Sequence, residues 1–381
     1  MNLLISSGEA SGDLHGARLL RALRERRPDL TAFGMGGSRL AAEGLSCVAR
    51  SEDLSVMGFA EVLEKLPAIR KALRSLTASV LRMRPSGAVL IDFPDFHGLL
   101  ARRLRRAGVP LIYYISPQVW AWRRRRARGI ARRARRIITL FPFEAEIYRK
   151  LGADAVCAGH PIVDDVREGL ARVSTLPRKN RRRLILLPGS RTAELRRHWM
   201  PMAEAASRLA RKLDLEVVAV RAPGLPERLF PGADSLGIRV VEGGLHPILA
   251  SADLAFVASG TATLEAALCG APMVVVYRTS AVSFAIGRVL IKIPWISLVN
   301  IVAGEPMVPE LLQEHVNAER LEREGEILLS DPARLAAMRA GLDRVSRALG
   351  PPGATGRAAD AVLEAIENSG RRAADAAGSR S

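Results

Sequence analysis

Two aspartates flank a proline after an apolar run and could supply a catalytic base. Asp92 and Asp95 lie in the segment IDFPDFH, directly after residues that predict a strand. Open α/β sheets bind ligands at the carboxyl ends of their strands, and a carboxylate there can accept a proton from a hydroxyl within hydrogen-bond distance. The structural alternative is that Asp95 caps the next helix and Asp92 pairs with an arginine. These residues alone favour that alternative.

The segment LLPGSR at 186–191 could hold a diphosphate. It ends a predicted strand and precedes a predicted helix. Gly189 would let the backbone approach a ligand closely, and Ser190 and Arg191 would hydrogen-bond to phosphate oxygens. The alternative is an ordinary capped start of a helix.

The segment SGTATLE at 259–265 could bind other parts of a nucleotide. Ser259, Gly260 and Thr261 open a predicted helix, and this position suits a phosphate. Glu265 lies one turn later and could accept hydrogen bonds from two ribose hydroxyls. The alternative is a solvated glutamate. It is weaker because the small apolar neighbours predict a buried helix, where a carboxylate needs a partner.

The segment SGEASGD at 7–13 is a glycine-containing turn between the first predicted strand and the first predicted helix. Glycines there let backbone N–H groups approach a ligand at the positive end of a helix. The spacing differs from the G-x-G-x-x-G motif, so a dinucleotide site is weakly supported. A tight turn with Ser11 or Asp13 as the helix cap explains the pattern equally well.

Positive charge is concentrated in residues 101–136, which contain thirteen arginines and no acidic side chain. They carry most of the formal net charge of +18. Pro117, Trp120 and Trp122 interrupt the stretch, so it is not a disordered basic tail. Such a surface faces nucleic acid, a phosphorylated substrate or an anionic membrane. An RNA-binding protein is the alternative to an enzyme, although no RNP, KH or zinc signature accompanies the arginines.

Signals for metals, disulfides and membrane spans are weak. His15, His97 and His160 each stand beside a turn without a second ligand at metal-binding spacing, so we expect no metal site and no cofactor. The three cysteines are widely spaced, which fits a reducing cytosol. We expect no signal peptide. Charged residues and a proline interrupt the most apolar region, 281–302, so any membrane role would be peripheral.

Two α/β domains are needed to position these segments. Short apolar runs alternate with amphipathic stretches, a pattern that predicts parallel sheets with right-handed crossovers. We predict Rossmann-like domains at 1–165 and 166–350, followed by a C-terminal helix and disordered tail at 351–381. The predicted strands lie at 2–6, 88–92, 111–115, 137–141, 216–220, 238–242, 253–259 and 272–277, and another begins at 184.

In their order along the chain, these segments resemble the lipid-A-disaccharide synthase family of bacterial glycosyltransferases. The resemblance extends from SGEASGDLHG to VPELLQ, and SGEASGD and SPQVWAWR are its most specific segments. It implies the GT-B fold, in which two Rossmann-like domains with parallel sheets face each other across a cleft. His97 departs from the family pattern, which has asparagine at this position.

The resemblance implies an inverting transfer from UDP-2,3-diacylglucosamine to the 6-hydroxyl of 2,3-diacylglucosamine 1-phosphate (lipid X), giving a β-1,6 disaccharide 1-phosphate and UDP. Asp95 is then the expected base, with Asp92 as its alternative or orienting neighbour. Arg191 would stabilise the departing UDP in place of a metal. The other implied nucleotide contacts are Gly189, Ser190, Ser259, Gly260, Thr261, Glu265, Asn300, Glu310 and Gln313. The loop implied to lie near the reacting sugar comprises Gly8, Glu9, Ser11 and Gly12.

The resemblance also implies a peripheral enzyme on the cytoplasmic face of the inner membrane, makes a homodimer conceivable and excludes nucleic acid as a partner. The enzymatic alternative is another GT-B enzyme that uses UDP-N-acetylglucosamine, either a transferase or a 2-epimerase. Those enzymes share the nucleotide site of the second half but lack SPQVWAWR and SGEASGD. The residues expected to face the acceptor or the membrane are Trp120, Trp122, Arg123, Arg132 and Arg133.

Overall fold

The chain forms two compact units, described by a computed structural model. The first contains Met1–Pro161 and Gly353–Ser381, and the second contains Ile162–Pro352. The chain therefore begins the first unit, forms the whole of the second and then returns to the first. The residues that the structure describes are 1–54, 66–117, 124–171, 181–281, 284–285, 288 and 293–378.

Among these described residues, the first unit has a seven-stranded parallel sheet of order β3-β2-β1-β4-β5-β6-β7. Its central strands are buried on both faces, as expected where helices cover a parallel sheet. Alternate residues of a strand enter opposite cores: Leu4 lies in one and Leu3 and Ile5 in the other. The strands are β1 (Asn2–Ser7), β2 (Thr31–Gly36), β3 (Ser46–Arg50), β4 (Gly87–Ile91), β5 (Leu111–Tyr114), β6 (Arg136–Thr139) and β7 (Ala155–Cys157).

Helices connect these strands and cover both faces of the sheet. The long helix α3 has an apolar face on the sheet, including Leu73, Leu76 and Val80, and exposed arginines on the other side. The helices of the first unit are α1 (Ala10–Arg26), α2 (Ser38–Ala42), α3 (Leu66–Met83), α4 (Pro94–Arg106), α5 (Arg124–Ala131) and α6 (Pro142–Arg149). The final helix of the chain, α14 (Ala354–Gly378), also belongs to this unit.

Helix α14 corrects the domain limits expected from the sequence. It is not a separate segment at 351–381, because Ala358, Val362 and Ile366 are buried in the same core as α1 and β1. Arg136 of β6 also donates to Glu364 at 2.6 Å. The helix continues to Gly378, past the position where the sequence predicts a disordered tail. The first stretch of the first unit ends at Pro161 rather than at residue 165.

The second unit has a six-stranded parallel sheet of order β10-β9-β8-β11-β12-β13 within the described residues. Its strands are β8 (Arg183–Leu187), β9 (Glu216–Arg221), β10 (Ile238–Glu242), β11 (Leu254–Ala258), β12 (Met273–Tyr277) and β13 (Glu310–Leu312). Its helices are α7 (Ile162–Leu170), α8 (Thr192–Leu213), α9 (Leu245–Ala250), α10 (Ala262–Leu268), α11 (Leu298–Ala303), α12 (Ala318–Ser330) and α13 (Pro332–Ala348).

No helix in the described part of the chain is long and apolar enough to span a bilayer.

Candidate active site

The two predicted motifs of the first unit meet at one edge of its sheet. Strands β1 and β4 are neighbours, and Ser7 at the end of β1 pairs with Ile91 at the end of β4. The glycine turn that begins at Gly8 and the turn that begins at Asp92 therefore leave adjacent strand ends. This is the edge at which open α/β sheets bind ligands.

The turn after β4 has an unusual backbone. Asp92 and Phe93 have φ angles of 51° and 50°, in the left-handed region that residues other than glycine rarely adopt. The amide of Asp92 donates to the carbonyl of Ile115, 3.3 Å away. Such turns persist only where surrounding contacts hold them, and they concentrate at functional sites.

The carboxyl group of Asp92 is largely buried, and this burial is the main reason that its pKa is raised to about 6. The negative charge of Glu9, in the turn after β1, is the second cause, while a hydrogen bond from the amide of Phe93 acts in the opposite direction. A carboxyl group that titrates near neutral pH is suited to accept and release a proton.

Gly8 lies under the ring of Phe93. A Cβ atom at Gly8 would stand 2.1 Å from two atoms of that ring, so only glycine allows the contact without a shift. Glu9 and Ser11 are exposed beside it, and Gly12 is buried close to Ile91. Gly8, Glu9 and Gly12 thus lie beside the turn that bears Asp92, and Ser11 lies in the first turn of α1.

Asp95 has a different environment from Asp92. It lies in the first turn of α4, where 78% of its side chain is exposed. Its Oδ1 atom accepts from Nη2 of Arg126 at 2.5 Å. Asp95 is not the cap that the sequence offers as an alternative, because Phe93 is the N-cap and Asp95 is already the second residue of α4.

Asp13 is not the cap of α1 that the sequence offers as an alternative. It lies inside α1, and its buried carboxylate accepts from the amides of Gly37 at 2.6 Å, Arg39 at 3.0 Å and Leu40 at 3.2 Å. It therefore caps the start of α2, which stabilises a helix by about 1 kcal/mol. Its function is structural, and the exposed carboxylate of the glycine turn is Glu9.

In the second unit, the PGSR segment forms the turn between β8 and α8. Gly189 has a φ angle of 127°, and a Cβ atom there would lie 2.7 Å from the side chain of Glu194. Glu194 accepts from the amides of Ser190 at 3.0 Å and Arg191 at 3.3 Å, and from Nη1 of Arg191 at 2.9 Å. Because 75% of the Arg191 side chain is exposed, this ion pair is weak and its guanidinium is available to an anion.

The SGTATLE segment leaves the adjacent strand, since β8 and β11 are paired. Ser259 donates from Oγ to the carbonyl of Ile296 at 3.2 Å, and Thr261 is exposed. Glu265 lies on α10 with 19% of its side chain exposed, and its Oε1 atom is 3.0 Å from Nε2 of His246. His246 is the partner that the sequence requires for a carboxylate on this helix.

Asn300, Glu310 and Gln313 form internal hydrogen bonds. Asn300 donates from Nδ2 to Glu310 at 2.8 Å and to the carbonyl of Val308 at 2.9 Å, which uses both hydrogens of its amide group. Glu310 also accepts from the amides of Ile296 and Ser297. Gln313 bonds through both ends of its amide to the backbone of Thr279. These side chains shape the segment after β12, and Asn300 has no hydrogen left to donate to a nucleotide.

Arginines of the segment 101–136 lie at both ends of the first sheet. Arg126 is near Asp95, at the carboxyl edge. Arg132 and Arg133 precede β6, and the amide of Arg135 donates to the carbonyl of Leu111, at the amino end of β5. Of the residues expected to face the acceptor or the membrane, Arg132 and Arg133 therefore lie at the end of the sheet away from the aspartates. Trp120, Trp122 and Arg123 lie outside the described residues.

Metal-binding clusters are absent from the part of the chain that the structure describes: no three His, Cys, Asp or Glu side chains there could hold an ion. Two contributors to the site lie outside its motifs. His246 reaches Glu265 from the preceding helix, and His198 bonds to the carbonyl of Pro188 at 2.9 Å. Neither histidine lies in a motif. The only sign of them in the sequence was the buried helix predicted around Glu265, where a carboxylate needs a partner.

The sequence profile described as lipid-A-disaccharide synthetase matches residues 3–355 of this chain. The chain belongs to the lipid-A-disaccharide synthase family. A lipid-A-disaccharide synthase from Anaeromyxobacter dehalogenans is 45% identical over 370 residues, which cover 95% of this chain and 96% of the relative. Another, from Myxococcus xanthus, is 42% identical over 377 residues, covering 96% and 97% of the two chains. The predicted family is therefore confirmed.

Solved structures place this lipid-A-disaccharide synthase family member among GT-B proteins. The calicheamicin glycosyltransferase CalG4 superposes with a TM-score of 0.60 and 15% identity, over 96% of this chain and 98% of that one. A UDP-GlcNAc 2-epimerase from Neisseria meningitidis, solved with UDP-GlcNAc, has a TM-score of 0.59 and 10% identity, over 97% and 100% of the chains. At these identities the likeness concerns the fold alone, and it confirms the predicted GT-B class.

Proposed function

We propose that this glycosyltransferase moves the sugar of UDP-2,3-diacylglucosamine to the 6-hydroxyl of 2,3-diacylglucosamine 1-phosphate. The products are the β-1,6-linked disaccharide 1-phosphate and UDP. The observation that carries the proposal is the family match over residues 3–355, which includes every candidate site segment. In a single displacement, the acceptor oxygen attacks C1 of the donor sugar while the bond from C1 to the UDP oxygen breaks. The acceptor proton goes to a base, and UDP leaves with the bonding electrons.

Asp92 is the better supported base. The sequence favours Asp95, but that carboxylate is exposed, and its Oδ1 atom is occupied by the guanidinium of Arg126. Asp92 lies at the carboxyl edge of the sheet, and its pKa of about 6 leaves it ionised but basic at neutral pH. Asp95 then has the supporting function, through its contact with Arg126 on α5.

Arg191 is the proposed stabiliser of the departing UDP. Its guanidinium is exposed, and the ion pair with Glu194 holds it beside the backbone of the PGSR turn. An incoming diphosphate offers more negative charge than a single carboxylate, and exchange of the exposed Glu194 pair for it loses little free energy. The positive charge would then lie where negative charge develops as the bond to the leaving group breaks.

Glu265 is the proposed contact for the ribose hydroxyls. His246 occupies its Oε1 atom, and the ring of His246 packs over Gly169, where a Cβ atom would overlap with it. The other carboxylate oxygen remains as an acceptor. The pair therefore has a fixed orientation, which lowers the entropy lost when a ribose binds.

An anionic membrane surface is the proposed partner of the basic residues at the amino end of the first sheet. Exposed arginines on α4 and before β6 share this end with a cavity of about 330 Å³ between α3 and α4. Its lining includes Leu81, which is 64% exposed, and Arg103 and Arg106. An acyl chain of an acidic phospholipid fits apolar walls beside a guanidinium, and each arginine near such a surface contributes about 1 kcal/mol.

Product analysis tests the proposed reaction. The purified protein is incubated with UDP-2,3-diacylglucosamine and 2,3-diacylglucosamine 1-phosphate, and the product is examined by mass spectrometry and by NMR of the new linkage. We expect a tetraacylated β-1,6 disaccharide 1-phosphate and one UDP for each disaccharide. Unacylated UDP-N-acetylglucosamine is the control donor. Turnover of that control without turnover of the acylated donor would contradict the proposal.

A further inference from the structure

Each unit has a buried histidine that is hydrogen-bonded to a carbonyl of its proposed reactive turn. His97 lies on α4 and is fully buried. Within the described residues, neither of its hydrogen bonds is to a charged side chain. His198 lies on α8 with 2% of its surface exposed. Neither enters the reaction scheme above, yet each is hydrogen-bonded at both ring nitrogens.

The hydrogen bonds of His97 connect two strand ends. Its Nδ1 atom is 2.5 Å from the carbonyl oxygen of Asp92, and its Nε2 atom is 2.8 Å from Oγ of Ser6. A carbonyl oxygen can only accept, so the proton must be on Nδ1. Burial lowers the pKa of His97 to about 4, so the ring is neutral and Nε2 accepts from the Ser6 hydroxyl.

The hydrogen bonds of His198 have the same pattern and permit a single tautomer. Its Nδ1 atom is 2.9 Å from the carbonyl oxygen of Pro188, and its Nε2 atom accepts from the amide of Arg278 at 3.0 Å. One partner can only accept and the other can only donate, so the ring is neutral with its proton on Nδ1. Burial also lowers the pKa of this group.

Each imidazole fixes a carbonyl at the start of a turn with positive φ angles. The Asp92 carbonyl precedes Phe93, and both residues have left-handed φ angles. The Phe93 ring also meets the His97 ring edge to face, with centroids 5.9 Å apart. The Pro188 carbonyl precedes Gly189, which has a φ angle of 127°. Without the imidazole, each carbonyl would be a buried acceptor without its partner, and the turn could relax toward an ordinary backbone conformation.

We propose that His97 and His198 are positioning residues, each a neutral imidazole that holds the turn bearing one reactive group. His97, with Ser6 behind it, orients Asp92 toward the acceptor hydroxyl. His198 orients the PGSR turn and Arg191 toward the diphosphate. Neither touches a substrate. The inference rests on the proposed function, since it gives Asp92 and Arg191 their tasks.

Variants at His97 test the first half by separating kcat from KM. The variant His97→Phe keeps an aromatic ring but loses both hydrogen bonds, and we expect kcat to fall about 100-fold while both KM values change less than threefold. His97→Asn can still donate to the Asp92 carbonyl and should recover at least about tenfold. Ser6→Ala removes only the outer bond and should lose about fivefold. If kcat per folded molecule is unchanged in His97→Phe and Ser6→Ala, His97 has no positioning role.

Variants at His198 test the second half and serve as the matched comparison. Calorimetry with UDP alone should show affinity weakened about tenfold in His198→Phe and restored in part by His198→Asn. The same measurement on His97→Phe should give an unchanged affinity. Equal effects of the two phenylalanine variants on UDP affinity would contradict separate tasks. If either phenylalanine variant fails to fold, as judged by circular dichroism, the asparagine variants and Ser6→Ala decide the outcome.

Imidazole nitrogen NMR tests the tautomers without any activity. Uniformly ¹⁵N-labelled protein at pH 7 should show two neutral rings with the proton on Nδ1, assigned by their loss in the asparagine variants. A proton on Nε2 in either ring would overturn the proposal for that residue. If the tautomers are as expected but the diacylated substrates give no product, the proposed function fails while the hydrogen bonds stand. If product forms but the tautomers differ, the positioning proposal fails alone.

Discussion

Asp92 and Asp95 are identical side chains three positions apart, and their surroundings give them opposite properties. The first is folded into a left-handed turn near Glu9, and the second is exposed and paired with Arg126. The sequence could predict that a carboxylate stands at the end of β4. It could not predict which one, because the distinction depends on backbone dihedral angles and on partners from other segments.

The variant Asp92→Asn should lose activity and gain stability. Turnover should fall about 100- to 10,000-fold, the usual contribution of a general base. The pKa is about 6 in the folded protein against an ordinary 3.8, so between these values the folded protein holds a proton that the unfolded chain releases. Ionised Asp92 therefore destabilises the fold above pH 6. Urea unfolding should show Asp92→Asn more stable by about 1–3 kcal/mol at pH 8 and nearly unchanged at pH 4.

The matched control for that variant is Asp95→Asn. It removes a carboxylate from the same turn of chain but leaves Asp92 ionisable, and we expect it to retain most of the turnover. Full activity of Asp92→Asn together with an inactive Asp95→Asn would reverse the two assignments. The wild-type rate should also fall as the pH drops below 6, since Asp92 then becomes protonated.

The variant Arg191→Ala should weaken binding of UDP about tenfold and reduce kcat about 100-fold, since the guanidinium acts on charge that grows as the leaving group departs. Arg196→Ala is the control, because Arg196 is exposed on the same helix and lies outside the PGSR turn. Calorimetry with UDP and steady-state kinetics give the two values. Unchanged kinetics in Arg191→Ala would remove its proposed role.

At the scale of elements, strands with a continuous apolar run were predictable, whereas the glycine-containing β2, the partly exposed β3 and the three-residue β7 and β13 were not. The sequence places strands at 2–6 and 238–242, where the structure has β1 and β10. It misses β2, which contains Gly34 and Gly36, and β3, in which Ser46, Cys47 and Arg50 are exposed. Glycine weakens the strand pattern, yet Gly34 is required: a Cβ atom there would lie 1.9 Å from the carbonyl oxygen of Ile5.

The site motifs were predictable as loops, but their supports were not. The predicted segments end the expected strands, and the strand order brings Gly8 to Asp92 and Ser190 to Ser259. Their hydrogen-bond partners come from elsewhere in the chain. Ser6 and His97 are 91 residues apart, for example, and no local pattern predicts their contact.

The junction of β1 with the turn after β4 can be tested by adding one methyl group. Gly8→Ala would push against the Phe93 ring, and we expect a loss of about 1–3 kcal/mol in the free energy of unfolding and a lower kcat. Gly98→Ala is the control, since that glycine lies inside α4 with nothing within 4 Å of a Cβ atom. Alanine there should stabilise the helix by about 0.5–1 kcal/mol. Equal stabilities of the two variants would refute the contact.

At the scale of the whole molecule, the arginine-rich segment separates into structural and exposed members. Arg136 is buried between Asp154 and Glu364, and Arg103 bonds to the carbonyl of Leu73. Arg105, Arg106 and Arg132 are exposed at the amino end of the first sheet. The sequence predicts the excess charge but cannot separate these groups, because the partners of the buried arginines are distant in the chain.

Charge reversal of the exposed group should release the protein from membranes. Changing Arg105, Arg106 and Arg132 to glutamate should reduce binding to vesicles containing acidic phospholipid about 100-fold, from about 1 kcal/mol for each lost arginine. The matched control reverses three exposed arginines of the second unit, Arg320, Arg323 and Arg339. Sedimentation with vesicles at two salt concentrations measures both. Equal losses in the two triple variants would mean that net charge alone determines binding.

The return of the chain to its first unit has a consequence for synthesis. The apolar side of α1 is covered by α14, which leaves the ribosome only after the whole second unit. The second unit lies wholly between the two stretches of the first, so it can finish folding earlier. The first unit, although its synthesis starts earlier, is therefore completed after the second, and the apolar surface that α14 covers stays exposed until that helix has emerged.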